Sequence, residues 1–329
     1  FGTAQLKIED IDVEFVGARK ESYRSESRNP DVEAGTLEDD QLRRDLTINA
    51  LAVSLNKEDY GCLIDPFDGL ADLQRKVLRT PLAPAQTFID DPLRMLRTIR
   101  FATQLRYQID EKTLSAIKEH SERISIISKE RIADELHKIL LCNKPSVGFD
   151  LLFKTKLLGI IFPHLADLAG AQYIDGRGHK DNFYHTIQVV DNICPHTKNL
   201  WLRWAALLHD IGKPATKLFE KDHGWTFHNH EWIGAQMIPG IFKFLKLPQN
   251  EHMKYVQKII QFHHRPVSLT KENISDSAIR RLIFDAGDDL EDLLILCNAD
   301  ITSKNHEKVI KYKENYEMVK ERLKAVEER

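Results

Sequence analysis

From Ile8 to Ala18 apolar and polar positions alternate, with Ile11, Val13 and Phe15 on one face and Asp12, Glu14 and Val16 on the other. A period of two predicts a half-buried β-strand with two acids on its outer face. Arg19 to Gln41 has no apolar period, contains Pro30 and Gly35, and predicts a mobile loop. Thr47 to Leu55 has enough Ile, Val and Leu for either a short helix or a strand, while Tyr60 to Leu70, with Gly61, Pro66 and Gly69, predicts a strand end followed by a turn. Beyond Pro81 and Pro84 the pattern changes to long amphipathic segments. Helices are predicted at 92–106, 111–120, 129–142, 145–157, 184–193, 199–211, 231–245, 251–264, 276–286, 288–300 and 304–328. An α/β head therefore gives way to an α-helical remainder near Pro84.

The length of 329 residues suits two or three domains. Hydrophobic content of 42% with 29% charged residues excludes disordered, collagen-like and disulfide-scaffold classes. A net charge of −3 excludes a uniformly basic or acidic chain, so an anionic partner must be met by a local groove. Cys62, Cys142, Cys194 and Cys297 are far apart, which predicts reduced thiols in a cytoplasmic protein. No apolar run is long enough to span a membrane and no signal peptide is visible. The chain opens at Phe1 with little lead-in to its first strand and closes on a charged helical pattern without a capping signal, so further sequence is expected at both ends.

Four stretches carry a family resemblance: IDVEFVGAR (11–19), RRDLTINALA (43–52), DPFDG (65–69) and DDPLRMLRTIRFATQL (90–105), with IADELHKIL (132–140) behind them. In order and spacing they resemble the bacterial class II CCA-adding tRNA nucleotidyltransferases and their poly(A) polymerase relatives. The resemblance implies a polymerase β-like head, with tRNA, CTP and ATP as partners and Mg²⁺ as the cofactor of nucleotidyl transfer. In that family the principal metal carboxylates follow a Gly-Ser turn; no Gly-Ser dipeptide occurs here, so the main ligands are expected upstream of Phe1 and residues 1–329 alone are expected to add no nucleotide. Glu14 matches an acid beside the metal site. Arg43, Arg44, Asp45 and Asn49 match residues that handle ribose and triphosphate, for which guanidinium, carboxylate and amide groups are suited. Asp91 and Arg94 stand i, i+3 at a helix start behind Pro92 and match the family's base-reading pair. A carboxylate beside a guanidinium can accept from the exocyclic amine of C or A and donate to the adjacent ring nitrogen.

Ten of the fourteen histidines fall between residues 179 and 264. The run AALLHDIGKP (205–214), with His185 upstream and His230 in HEWIGA, His263 or His264 in FHHRP and Asp300 in CNAD downstream, resembles the HD phosphohydrolase superfamily over residues 180–302. His185, His209, Asp210 and Asp300 match its four-ligand pattern, and His230 and His263 the additional ligands of binuclear members. Such ligands suit Mn²⁺, Ni²⁺, Fe or Zn²⁺. His223, His228, His252 and His306 match nothing and are expected at the surface.

The fold class expected is α+β: a partial nucleotidyltransferase head (1–84), a helical neck that binds RNA and nucleotide (85–165), an all-α HD domain (166–302) and a C-terminal helix (303–329). The expected function is CCA addition to tRNA in the cytoplasm, away from membranes, with phosphohydrolase activity in the HD domain. A poly(A) polymerase of the same family, an HD cyclic phosphodiesterase or phosphatase with a vestigial head, and a non-catalytic RNA-binding scaffold are the alternatives.

Overall fold

The computed structural model describes residues 3–22, 31–174, 176–268 and 276–302, with scattered positions between 310 and 325. The helix expected over 304–328 lies largely outside the described residues, as does His306. Two compact units divide the chain, Phe1–Ser128 with Lys154–Leu157, and Lys129–Phe153 with Leu158–Arg329.

In the first unit β1 (Thr3–Ile8) and β2 (Ile11–Val16) form an antiparallel hairpin in which Thr3 faces Val16 and Ile8 faces Ile11. The alternating strand is present, but it is not half-buried, for Ile11 is 67% and Phe15 59% exposed. Among the described residues only β1 pairs with β2, and a two-stranded ribbon has no layer of its own to cover a face. The expected loop at 19–41 is also corrected. β3 (Arg19–Ser22) pairs with β4 (Asp31–Ala34), and α1 (Leu37–Leu42) follows. Strands of four residues are too short to show a period. The start of α1 does carry a sequence signal, because Thr36 and Asp39 form a reciprocal capping box.

The undecided stretch 47–55 holds a single 3₁₀ turn (Thr47–Asn49) and β5 (Ala52–Val53), which pairs with β6 (Leu63–Ile64). Asp65 then accepts the backbone N–H groups of Gly69 (2.7 Å) and Leu70 (2.9 Å), starting α2 (Gly69–Arg75). A Cβ at Gly69 would lie 2.4 Å from the Thr47 carbonyl oxygen, so only glycine lets α2 approach that turn. β7 (Val77–Leu78) precedes α3 (Pro84–Asp90) and α4 (Leu93–Leu105), then pairs in parallel with β8 (Gln108–Ile109) ahead of α5 (Glu111–Glu119). Phe88, Met95, Leu96, Ile99 and Ile117 form the core beneath them.

The second unit is mostly helical. It contains α6 (Lys129–Leu140), α7 (Ser146–Lys154), α8 (Leu157–Ile161) and α9 (Pro163–Ala166), then two short hairpins among the remaining helices. β9 (Tyr173–Ile174) pairs with β10 (Arg177–Gly178), followed by α10 (Asn182–Ile193), α11 (Leu200–Leu208) and α12 (Lys213–Thr216). The second hairpin joins β11 (Leu218–Glu220) to β12 (Gly224–Thr226). The chain continues through α13 (His230–Leu245), α14 (Glu251–Phe262), α15 (Arg265–Ser268), α16 (Asp276–Ala286) and α17 (Leu290–Asp300).

The apolar helix α11 is the axis of this unit, with Leu202 and Trp204 to Leu208 fully buried. Arg203, in its midst, is also fully buried and donates to the carbonyls of Leu140 (2.6 Å), Cys142 (2.9 Å), Cys194 (3.2 Å) and Thr197 (2.9 Å). It thereby satisfies carbonyls that the ends of α6 and α10 leave unpaired. Among the described residues no helix is long and apolar enough to cross a membrane.

Candidate metal centre and nucleotide-binding residues

His209 and Asp210 end the buried helix α11, and neither has any solvent exposure. Gly212 then brings the chain against the start of α13, for a Cβ there would lie 2.2 Å from the His230 carbonyl oxygen. This close approach sets Asp210 Oδ1 3.4 Å from His230 Nε2. His185, near the start of α10, places Nε2 2.9 Å from Asp300 Oδ1 and 3.5 Å from Asp210 Oδ2. His209 Nε2 reaches the same two carboxylates at 3.5 and 3.3 Å. His263 closes the set, its ring centroid 5.3 Å from that of His209 and 5.4 Å from that of His230. All six residues expected as HD ligands therefore converge, from five helices and the turns that end them.

Three of the imidazoles are held alike. Nδ1–H of His209, His230 and His263 donates to the carbonyl three residues back, at Ala206 (2.8 Å), Phe227 (2.8 Å) and Ile260 (2.6 Å). A carbonyl can only accept, so the lone pair is left on Nε2. In each of the three, Nε2 is buried without a hydrogen-bond partner, as is Asp210 Oδ1. Unpaired buried acceptors are costly, and this tautomer is the one a metal-bound histidine adopts when its other nitrogen donates to a carbonyl.

The electrostatics point the same way. Burial disfavours charge on His209, but Asp210 and Asp300 outweigh it and push its pKa up to about 10. Burial likewise opposes ionisation of Asp210 and Asp300, yet His209 with Lys213 for the first, and His185 with His209 for the second, hold both well below the usual carboxylate range. His263 is driven the other way, first by burial and then by His264 and His209, and stays neutral. Two carboxylates held ionised in this pocket draw positive charge to their centre, as the rise on His209 shows. The donor set fits a divalent transition metal.

Two further neighbours belong to this site, Lys213, which was not singled out from the sequence, and His264. Lys213 donates to Asp210 Oδ2 at 2.6 Å, and its i+3 spacing in HDIGK was the available signal. His264 stands with His230 and His263 as a second group of three convergent ligating side chains, beside that of His185, His209 and Asp300. The sequence offered His263 and His264 as alternatives; they lie with ring centroids 4.4 Å apart. His223 and His228 are exposed or partly so, and His252 is exposed while its ring stacks on Trp201 at 4.7 Å.

In the first unit the expected nucleotide residues form two networks. Asp45 Oδ1 accepts from Asn49 Nδ2 (3.0 Å), and its Oδ2 accepts from Arg97 Nε (2.7 Å). Arg43 and Arg44 both bind Asp40, through Nε at 2.9 Å for Arg43 and Nη2 at 2.6 Å for Arg44. Burial works against the Asp40 charge, but the hydrogen bonds from Arg44 and Arg43 lower its pKa. Arg43 also belongs to a buried cluster around Glu21. The Glu21 side chain is 4% exposed, with Arg19 Nε at 2.8 Å, Arg43 Nη1 at 3.5 Å and Arg94 Nη2 at 3.9 Å. Asp91 Oδ1 accepts the Leu93 N–H (3.1 Å) at the junction of α3 and α4, and Arg94, at the first turn of α4, is nearly buried. Glu21, Asp40 and Arg97 escaped sequence reading. Arg97 had a signal, one turn beyond Arg94 on the same helix; Glu21 had none.

Glu14 stands exposed on β2, opposite Gln5. No group of three convergent metal ligands occurs among the described residues of the first unit. Those residues do not fit a magnesium centre.

Family profiles match a poly A polymerase head domain over residues 1–79, a probable RNA and SrmB-binding site of polymerase A over 106–168, and an HD domain over 182–305. The chain thus combines segments matched by the poly A polymerase head-domain, RNA-binding and HD-domain families. It is 33% identical over 272 residues to an A-adding tRNA nucleotidyltransferase of Deinococcus radiodurans, covering 80% of this chain and 60% of that protein. It is 32% identical over 276 residues to a multifunctional CCA protein of Vibrio campbellii, covering 80% of this chain and 65% of that one. The chain thus spans less than two thirds of either relative. The fold resembles that of a Bacillus stearothermophilus CCA-adding enzyme in complex with CTP, with a TM-score of 0.64 at 22% identity over 98% of this chain and 67% of that one. It also resembles a tRNA nucleotidyltransferase complexed with a primer tRNA and an ATP analog, with a TM-score of 0.62 at 24% identity over 97% of this chain and 82% of that one.

Proposed function

We propose that this cytoplasmic protein is a nucleotidyltransferase that extends the 3′ end of tRNA from CTP and ATP, and that its second unit is a metal-dependent phosphohydrolase. The first reading is carried by the match of the head profile to the segment that holds Arg43, Arg44, Asp45 and Asn49, with the RNA-binding profile following from residue 106. Arg43, Arg44 and Arg97 offer forked donors suited to triphosphate oxygens, and Asp45 with Asn49 offers partners for ribose hydroxyls. Asp91 and Arg94 read the base. The Deinococcus relative's name favours one second reading, addition of A alone. Incorporation of labelled nucleotide into tRNA lacking its terminal CCA, measured for the intact gene product with CTP and ATP separately, distinguishes the two. Incorporation of C followed by A supports CCA addition, A alone supports the second reading, and neither contradicts both.

The phosphohydrolase reading is carried by the three buried Nε2 atoms without partners around Asp210. His185, His209, Asp210 and Asp300 would hold one Mn²⁺, Ni²⁺, Fe or Zn²⁺ ion, and His230 with His263 would assist a second. When bound, such an ion supplies a water activated for attack on a phosphoester. The chain's own residues fix the ligand tautomers, and Lys213 holds Asp210.

A further inference from the structure

A cleft of about 770 Å³ opens beside the metal centre, lined by α10, the end of α17 and the segment between α6 and α7. The two sites share a residue. Thr302 lines the cleft, and its hydroxyl is 2.8 Å from His185 Nδ1. The cleft residues Asn298, Ala299, Ile301 and Thr302 flank Asp300, and Gln188 lies one helical turn beyond His185. The Asp300 side chain is 22% and that of His185 9% exposed, against 6% or less for His209, Asp210 and His230.

The lining has a definite chemistry. Asn143, Gln188, Asn192 and Asn298 each offer an amide, which donates and accepts like the edge of a base, while Pro195 and Ile301 supply apolar surface for its face. Asn192 is partly committed, donating to the Ala299 carbonyl at 2.9 Å. Lys144 and His196 stand at the end farthest from the metal centre, beyond the last turn of α10. The one carboxylate of the lining, Asp191, is engaged by the Ser146 N–H (2.9 Å) and hydroxyl (2.6 Å). From His185 to Asn192 the helix rises about 10 Å, enough to lay a nucleoside beside its phosphate.

We propose that this cleft binds the nucleoside next to the scissile phosphate, with Lys144 and His196 holding a second phosphate. The phosphohydrolase centre then takes the end of an oligonucleotide strand in preference to a free nucleotide. The proposal rests on the metal-dependent reading of the second unit. It is tested by calorimetric titration of the metal-loaded protein with a dinucleotide ending in a phosphorothioate and with CMP, alongside metal analysis of every variant. The dinucleotide is expected to bind at least about tenfold tighter than CMP, and Lys144→Ala and Gln188→Ala, both exposed positions, each to lose about tenfold with metal content unchanged. Equal affinity for both ligands, or dinucleotide binding that neither substitution weakens, overturns the cleft assignment. Metal-free protein whose dinucleotide binding still depends on Lys144 and Gln188 supports the cleft and refutes the metal reading instead.

Discussion

Gly212 and His230 are packed backbone to backbone, leaving 2.2 Å between a Cβ at position 212 and the His230 carbonyl oxygen. Real side-chain carbons do not come so near, so Gly212→Ala must push the Asp210 turn away from α13. The expected result is a protein destabilised by about 1–3 kcal/mol that retains less metal than the parent. Thermal unfolding and metal analysis of the purified variant check it; unchanged metal content would show that this contact does not position Asp210.

Asp210 touches three of the histidines and Lys213, so it is the hinge of the ligand set. Asp210→Ala should abolish metal retention and phosphoester hydrolysis. Nucleotide addition by the intact gene product should stay near its normal rate, because the nucleotide residues belong to the other unit. A parallel loss of addition and hydrolysis contradicts the two-site account.

The proposed function assigns base choice in the first unit to Arg94. In the intact gene product, Arg94→Ala should relax discrimination of CTP and ATP against UTP and GTP by roughly 5- to 150-fold, the worth of a good bidentate base contact at about 1–3 kcal/mol. Competition assays with the four nucleotides read this directly. Selectivity equal to that of the parent removes Arg94 from base reading.

Most of the candidate metal centre was legible in the sequence, whereas the candidate nucleotide residues of the head were only partly so. The HD ligands are marked by residue type. A His-Asp pair ending an apolar helix, and histidines set at helix starts and ends, remain recognisable without the fold. Arg97 and Asp45 are 52 positions apart and meet only through tertiary packing, so helical spacing could have placed Arg97 beside Arg94 but could not have named its partner. Glu21 lies on a four-residue strand in a polar stretch, where no periodicity distinguishes an inward side chain from an outward one. The same lack of period made β3 and β4 read as loop. On β2 the alternation was real, but alternation reports a strand and says nothing about whether a second layer covers it.

His137 supplies a pH test that leaves the ligands untouched. Its ring meets Trp201 and Trp204 edge-on, with centroids 5.9 and 5.8 Å apart, and burial lowers its pKa from 6.5 despite the opposing charge of Asp134. The folded protein keeps this ring neutral while the unfolded chain takes up the proton first. The penalty is absent above about pH 6.5 and grows as pH falls, reaching its full value below the folded pKa. Denaturation midpoints measured between pH 7 and 5 should fall less steeply for His137→Phe than for the parent. Identical slopes would show that His137 makes no contribution.

The most direct test of the phosphohydrolase centre is the metal content of the purified protein. Elemental analysis should find about one transition-metal ion per chain, or about two if His230 and His263 complete a second site, and Asp210→Ala should reduce this to background. A parent protein that carries none, and takes up none on incubation with Mn²⁺ or Ni²⁺, would contradict the account.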